Sequence, residues 1–294
     1  MLSPSIKEAV KEWLHYNIDP ELEITGILPL SGGSINDAYR LKATNGDYFI
    51  KINKALRFPG MFETELEGLK LLDSTETVYV PKVYYSGSSG EYAFILLNYE
   101  IQATPSADYW TIFAQELASL HKVHNDQFGL GYDNYIGSLH QSNKKSADLY
   151  EFMVLNRFQP LVRSARDNRL FNREDLVFFD VLYKKLPSLI PYEEPSLLHG
   201  DLWSGNLIMN SKGNPCLIDP AVYYGHRETD IAMTKLFGGF PAKFYHSYNS
   251  IFPMESGWED RIRIHQLYPL LVHVNLFGES YSYDVRRILK YYTV

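Results

Sequence analysis

The feature that most limits what this chain can fold into is the stretch Leu197-Leu-His199-Gly-Asp201-Leu-Trp203-Ser-Gly-Asn206-Leu-Ile-Met209, followed by the short apolar run Cys216-Leu-Ile-Asp219-Pro220. An Asp follows a His-Gly pair, an Asn stands five positions on, and a second Asp closes an apolar segment 18 positions after the first. Phosphoryl-transfer loops need these residue types in this order. The first Asp orients the attacking hydroxyl and takes its proton, while the Asn and the second Asp hold Mg2+ on the phosphates. Magnesium is a hard cation that takes oxygen ligands in a near-octahedral array, which a carboxylate and an amide oxygen suit. Any one of these residues alone is most often a turn former, so the set in this order carries the reading. Proline disfavours helical dihedrals in the residue before it, and Pro220 is therefore expected to hold Asp219 extended at the end of a strand over 216–218.

Composition narrows the partners. Hydrophobic content of 45% with 21% charged residues is that of an ordinary folded chain rather than a disordered one. The 28 basic residues are outnumbered by 35 acidic ones, giving −7, which argues against nucleic acid as the main partner. One cysteine, Cys216, rules out an intrachain disulfide, points to a reducing compartment, and fits a small buried filler. The N-terminal stretch carries charges at helical spacing with no apolar signal core, and the most apolar segment, 267–277, is interrupted by His273 and Asn275. A cytoplasmic protein without a membrane span is expected. The 23 tyrosines could line a sugar or nucleotide pocket, although each one singly is more often core.

Taken in order, the chain predicts a helix over 5–16, capped by Ser5, with Ile6, Val10, Trp13 and Leu14 on one face. Strands follow at 24–30, 38–43 and 48–53, the last two joined by Asn45-Gly46 and the third carrying Lys51. The loop Ser31-Gly32-Gly33-Ser34 between the first two would let backbone N–H groups approach a polyphosphate, with Lys51 reaching the same phosphates. It is neither a Gly-x-Gly-x-x-Gly loop nor a P-loop. A helix over 62–72 buries Phe62, Leu66, Leu69 and Leu72 and offers Glu63, Glu65 and Glu67 as partners for Lys51; Glu65 is preferred because it neighbours the buried stripe. Strands at 82–86 and 92–97 flank a turn at 87–90. After Asn98-Tyr99-Glu100 the period turns helical, at 108–124, 148–168 and 173–186. That change places a boundary between a nucleotide-binding lobe, 1–98, and a catalytic and substrate lobe, 99–294, with adenine expected on the backbone of the connector. His121 and His124 read as core or surface residues, since no third metal ligand lies at a matching interval.

Several runs resemble the fructosamine (ketosamine) kinases, which are similar in fold to aminoglycoside and choline kinases. They are Ser31-Gly-Gly-Ser-Ile-Asn-Asp-Ala-Tyr-Arg40, Phe49-Ile-Lys51-Ile-Asn, Met61-Phe-Glu-Thr-Glu65, the stretch from His199 to Asn206, the run from Ile218 to Met233, and that from Leu267 to Gly278. The resemblance implies an α+β, two-lobed protein-kinase-like fold with an antiparallel-sheet N-lobe and a mostly helical C-lobe. It implies ATP and Mg2+ as cofactors, Asp201 as catalytic base, Asn206 and Asp219 as metal ligands, and Lys51 with Glu65 as the ATP-holding pair. Gly32 and Gly33 would line the phosphates, and Asn98, Tyr99 and Glu100 would form the nucleotide connector. Trp203, His226 and Glu228 fall where a sugar-amine would dock: Trp203 offers an apolar face to a sugar ring, and Glu228 could attract a cationic amine. With equal weight, His226, Arg227 and Glu228 form a structural loop with internal ion pairs. Two departures stand out. Lys144-Lys-Ser-Ala-Asp-Leu-Tyr150 occupies a place where the family usually has tryptophans, and Ser34 stands where some relatives have a redox-linked cysteine. The implied activity is ATP-dependent phosphorylation of a sugar hydroxyl on a ketosamine, free or protein-bound; an aminoglycoside- or choline-type kinase and a nucleotide-binding pseudokinase are the alternatives.

Overall fold

The computed structural model describes residues 2–31, 35–101 and 103–294. Gly32 and Gly33 lie outside the described residues. Packing divides the chain into two compact units, Met1–Ala107 with Ile208–Ile218, and Asp108–Leu207 with Asp219–Val294. In chain order the first contains α1 (Pro4–Asn17), β1 (Ile24–Leu30), β2 (Asp37–Ala43), β3 (Gly46–Lys54), α2 (Met61–Ser74), β4 (Val83–Ser89) and β5 (Tyr92–Asn98). In the second come α3 (Tyr109–Leu120), β6 (Asn134–Ile136), β7 (Leu139–Gln141), α4 (Leu149–Phe152), α5 (Gln159–Asp167), α6 (Arg173–Leu189) and β8 (Ser196–Leu198). The hairpin β9 (Leu207–Met209) and β10 (Pro215–Leu217) returns to the first unit, and β11 (Tyr223–Gly225), α7 (Glu228–Lys235), α8 (Ala242–Ile251), α9 (Trp258–Phe277) and α10 (Ser282–Thr293) complete the second.

The five strands of the first unit form one antiparallel sheet in the order β1-β2-β3-β5-β4. Alternation along the strands sets its faces. Tyr39 and Leu41 of β2, Tyr48 and Ile50 of β3, and Phe94 and Leu96 of β5 bury against Ile6, Val10 and Leu14 of α1. Helix α2 packs against β4 and β5 and buries Met61, Phe62, Leu69 and Leu72. Helix α1 is capped by Ser3, not Ser5: Pro4 at the first helical position needs no N–H partner, and Ser3 Oγ accepts from the Ile6 amide at 3.3 Å. The turn expected over 87–90 is shorter, because β4 runs on to Ser89 in register with β5.

In the second unit α3 packs on α8, α7 on α9, and α10 on α6 and α9. Their apolar faces meet in a core that includes Phe152, Phe158, Leu161, Phe179, Leu182, Leu267, Leu271 and Val285. Helix α3 stops at Leu120 rather than 124, because the Val123 carbonyl accepts from Leu197 N and His124 bridges to Ser196. The helix expected over 148–168 is unbroken along the chain from Leu149 to Asp167 but changes period, with a π-helical turn at Met153–Phe158 between α4 and α5. Pro160 cannot donate to the Asn156 carbonyl, which instead accepts from Arg157 Nη1 at 3.1 Å. Helix α6 starts in a reciprocal Asn172–Asp175 capping box and carries Pro187 in its last turn, ending at Leu189 rather than Leu186. Among the described residues, no helix is long and apolar enough to cross a membrane.

Candidate active site

In the second unit the loop around Asp201 hangs from a short antiparallel pair, Tyr223 of β11 opposite Leu198 of β8. Its entry is clamped by Asp230, whose Oδ2 accepts from His199 N at 2.7 Å and whose Oδ1 accepts from Gly200 N at 2.9 Å. Gly200 has φ +84, and a Cβ there would sit 2.1 Å from the Ala221 carbonyl oxygen, so only glycine fits. A 3-10 turn, Ser204–Asn206, then folds Asn206 back. Asn206 Nδ2 donates to the Asp201 carbonyl at 2.8 Å and to Asp201 Oδ2 at 3.0 Å. Burial, reinforced by the nearby Asp219 and Asp230 carboxylates, pushes the Asp201 carboxyl up to about 7, against the pull of the Asn206 bond.

Asp219 differs from the extended conformation expected of it. It has φ 56, in the left-handed region, and lies beyond β10, which ends at Leu217. Asp is among the few residues that tolerate this region, and such strain concentrates at functional sites. The turn feeds directly into the Ala221 N–H bond to the His199 carbonyl, at 2.9 Å, which ties Asp219 to the Asp201 loop.

Trp203 is 37% exposed and its ring lies over Gly205, where a Cβ would meet it at 2.3 Å. His226 and Glu228 are different. Glu228 is fully buried, accepting from Arg261 Nε at 3.0 Å and from Arg261 Nη2, with His265 Nε2 3.3 Å from its Oε2. Burial pushes its carboxyl up, but the contacts to His265 and Arg261 outweigh that and hold it at about 2. Burial beside His265 pushes His226 down to about 4, so this ring is neutral, and it stacks on His265 with centroids 5.0 Å apart. Arg227 forms a bidentate pair with Glu193, both contacts 2.8 Å. This geometry is that of the loop with internal ion pairs rather than of a carboxylate offered to an amine.

In the first unit, Lys51 of β3 and Glu65 of α2 are joined, Nζ donating to Oε1 at 2.7 Å in a largely buried pair. Of the three glutamates left open, Glu65 is the one that reaches Lys51; Glu63 and Glu67 face solvent. At the end of β5, Asn98 Nδ2 and the Tyr79 hydroxyl both donate to Glu100 Oε1, at 2.7 and 3.0 Å. The Asn98 and Tyr99 amides are spent on the Lys82 and Asp47 carbonyls, and Arg40 lies over the Tyr99 ring. Backbone donors at these two positions are thus unavailable to a base.

The donor set of the second unit fits a hard cation. Asn206 spends its N–H2 on Asp201, which leaves the amide oxygen as its remaining polar group, and three carboxylates raise the local negative charge.

The fructosamine kinase family profile matches residues 6–293. The chain belongs to the fructosamine kinase family. Membership makes phosphoryl transfer to an alcohol its activity class. A protein of Enterococcus faecium named "Probable ketoamine kinase" is 40% identical over 273 residues, covering 92% of this chain and 96% of its own. A protein-ribulosamine 3-kinase of Arabidopsis thaliana is 33% identical, over 97% of this chain and 88% of its own. A solved structure from Haemophilus somnus, carrying the fructosamine-3-kinase name, superposes with TM-score 0.87 at 30% identity over 96% of both chains. An aminoglycoside phosphotransferase shares the fold at TM-score 0.64 and 13% identity, covering 97% of this chain and 98% of its own.

Sequence reasoning missed Asp230, Arg261 and His265, which the structure places against the Asp201 loop and Glu228. Asp230 lies two residues after Glu228 in the run from Ile218 to Met233, so the run itself was its signal. Arg261 and His265 are four apart on α9, a spacing that any amphipathic helix shows.

Proposed function

We propose that this member of the fructosamine kinase family transfers the γ-phosphoryl group of ATP to a sugar hydroxyl of a ketosamine. The observation that supports it most is the Asp201–Asn206 loop: a carboxylate held by Gly200, Asp230 and Asn206 in an orientation set before substrate arrives. Asp201 would accept the hydroxyl proton and fix the oxygen in line with the phosphorus, so that catalysis is positioning plus charge stabilisation. Lys51, steadied by Glu65, would bind phosphate oxygens. Asn206 through its amide oxygen and Asp219 through its carboxylate would hold Mg2+, which when bound neutralises charge on the phosphates. The base of the nucleotide would meet connector carbonyls near Glu100, since the Asn98 and Tyr99 amides are already engaged. Trp203 would present its indole to the sugar, while His226 and Glu228 frame the loop behind it. The relatives' names, ketoamine kinase and protein-ribulosamine 3-kinase, support a ketosamine acceptor. The boundary between nucleotide and acceptor functions is proposed at 98/99; the packing units divide later, after Ala107, and include Ile208–Ile218 with the first.

The test is an acceptor panel read by ADP release: ketosamines, aminoglycosides and choline with Mg-ATP. Turnover confined to ketosamines, with the phosphate located on a sugar hydroxyl by NMR, is expected. Turnover only of aminoglycosides or choline would overturn the acceptor assignment.

A further inference from the structure

The second unit buries a chain of amide side chains to which the proposed chemistry gives no task. Asn134 of β6 and Gln141 of β7 stand directly opposite each other in their hairpin, and Asn143 follows two residues on. All three are buried, as is Arg157 in the π-helical turn. Gln141 Nε2 donates to Asn134 Oδ1 at 2.7 Å and to the Ala221 carbonyl at 3.1 Å. Asn134 Nδ2 donates to the Val222 carbonyl at 2.9 Å. Asn143 Nδ2 donates to the same Asn134 oxygen at 2.9 Å, while Asn143 Oδ1 accepts from Arg157 Nη2 at 2.7 Å. The Tyr268 hydroxyl of α9 donates to Gln141 Oε1 at 2.6 Å.

Arginine can only donate, and that fixes the direction of every bond in the chain. Asn143 must turn its oxygen to Arg157 and its N–H2 to Asn134. Asn134 must then turn its oxygen to Asn143 and Gln141, and its N–H2 to Val222. Gln141, donating to Asn134, has its second N–H left for Ala221 and its oxygen for Tyr268. Reversing any one of these amides would set buried donor against donor, so the network has one arrangement. Arg157 is itself anchored, with Nη1 on the Ser142 carbonyl at 2.5 Å and its guanidinium over the Tyr223 ring at 3.9 Å.

The chain ends on the segment that carries Asp219. Ala221 and Val222 lie between β10 and β11, and among the described residues neither carbonyl accepts from a backbone N–H. Buried carbonyls need a donor, and the two amide side chains supply it. Ala221 is thereby held on both sides, its N–H by the His199 carbonyl and its own carbonyl by Gln141. Pro220 joins it to Asp219 with φ locked by the ring, so a shift of Ala221 passes to Asp219. Asp219 sits at φ 56, a conformation that persists only where the surroundings over-determine it. We infer, on the reading of Asp219 as a metal ligand, that Gln141 and Asn134 are positioning residues that aim its carboxylate at Mg2+, with Arg157 setting the direction of their amides. Mg2+ demands near-ideal octahedral geometry, so displacing one ligand weakens its binding.

Mn2+ binding in the presence of the non-hydrolysable analogue AMP-PNP, followed by the paramagnetic resonance signal of free Mn2+, tests this without turnover. Gln141→Met keeps the side chain's length and removes its donors. The Mn2+ dissociation constant is expected to rise about tenfold, the low end of what groups orienting a metal ligand contribute. The Mg2+ concentration for half-maximal turnover is expected to rise with it, and saturating Mg2+ to restore kcat. Tyr268→Phe removes one hydroxyl and lets the Gln141 amide turn, so a smaller rise in the same direction is expected; it decides the matter if Gln141→Met does not fold. Arg286→Met, which breaks the pair with Asp175 at 2.9 and 3.0 Å between α10 and α6, is the stability control, with a lower thermal midpoint and unaltered Mn2+ affinity expected. Mn2+ affinity unaltered in Gln141→Met and Tyr268→Phe but weakened in Asp219→Asn would overturn the inference and leave Asp219 as a ligand. An equal loss in Arg286→Met would assign the effect to stability and overturn it as well. Unaltered affinity in Asp219→Asn would overturn the ligand reading and the inference with it.

Discussion

Asp201 takes its orientation from Asn206 in its own loop and from Asp230 behind it. Its own carboxylate is bonded by Asn206, and the two residues before it are fixed through Asp230, which accepts from both the His199 and Gly200 amides. Asp201→Asn removes the proposed proton acceptor and is expected to lower kcat by about 10²–10⁴, with ATP affinity measured by calorimetry nearly unchanged. Asp230→Asn acts differently. An amide group must point an N–H2 at one of two backbone donors, so one buried N–H loses its acceptor at a cost of about 1–3 kcal/mol. The Asp201 loop then loosens, and kcat is expected to fall about 10- to 100-fold while KM for ATP holds. Steady-state kinetics alongside a thermal melt separates the two: a large kcat loss without destabilisation for Asp201→Asn, and both effects for Asp230→Asn.

At the scale of elements, the start of α7 is pinned to α9 by the pair of Glu228 and Arg261, with His265 alongside. Removing one partner of a buried pair leaves a charge without compensation, at a cost of about 3–5 kcal/mol. Glu228→Gln is therefore expected to lower stability by about 3 kcal/mol in urea unfolding and to change the KM for ketosamines only secondarily. An unchanged unfolding midpoint with a strongly raised KM would restore Glu228 as an amine-binding group. What the sequence made legible follows from locality. The strands at 24–30 and 38–43 and the helix at 62–72 announce themselves by period, and the choice of Glu65 for Lys51 followed from its place beside a buried stripe, one turn from the helix start. The order of Asp201, Asn206 and Asp219 was likewise readable. The engagement of Glu228 was not, because its partner lies 33 residues away on a helix whose charges look solvated until packing is known. Nor was the left-handed turn at Asp219, where the rule for residues before proline gave way to the bond between Ala221 and His199. The π-helical turn inside 148–168 follows from Pro160, but only the tertiary bonds of Arg157 show where the period changes.

For the molecule as a whole, the buried acid–base cluster predicts how folding responds to acid. His226 sits at about 4 in the folded chain against an ordinary value near 6.5, so the unfolded chain takes up its proton first as pH falls. Stability from keeping that ring neutral is complete above about 6.5 and is lost progressively on the way down to 4, amounting to about 3 kcal/mol. Glu228, held at about 2 against an ordinary 4.5, runs the same way over a lower window: its contribution is present above 4.5 and disappears as pH falls toward 2. Both groups are in the second unit, as are Trp110, Trp203 and Trp258, three of the four tryptophans. Tryptophan fluorescence during thermal unfolding therefore reports chiefly on the affected unit. Asp201 and Glu116, both pushed up to about 7 by burial, run the opposite way and gain stability as pH falls from 7 toward 4, so the share of His226 is read as a difference between the unaltered protein and a variant. In His226→Gln, whose side chain does not titrate and still offers a donor to the Pro191 carbonyl, the midpoint at pH 4.5 relative to that at pH 7 is expected to lie higher than in the unaltered protein by the share of one proton. An unaltered slope in that variant would assign the acid sensitivity to other groups and remove His226 from the account.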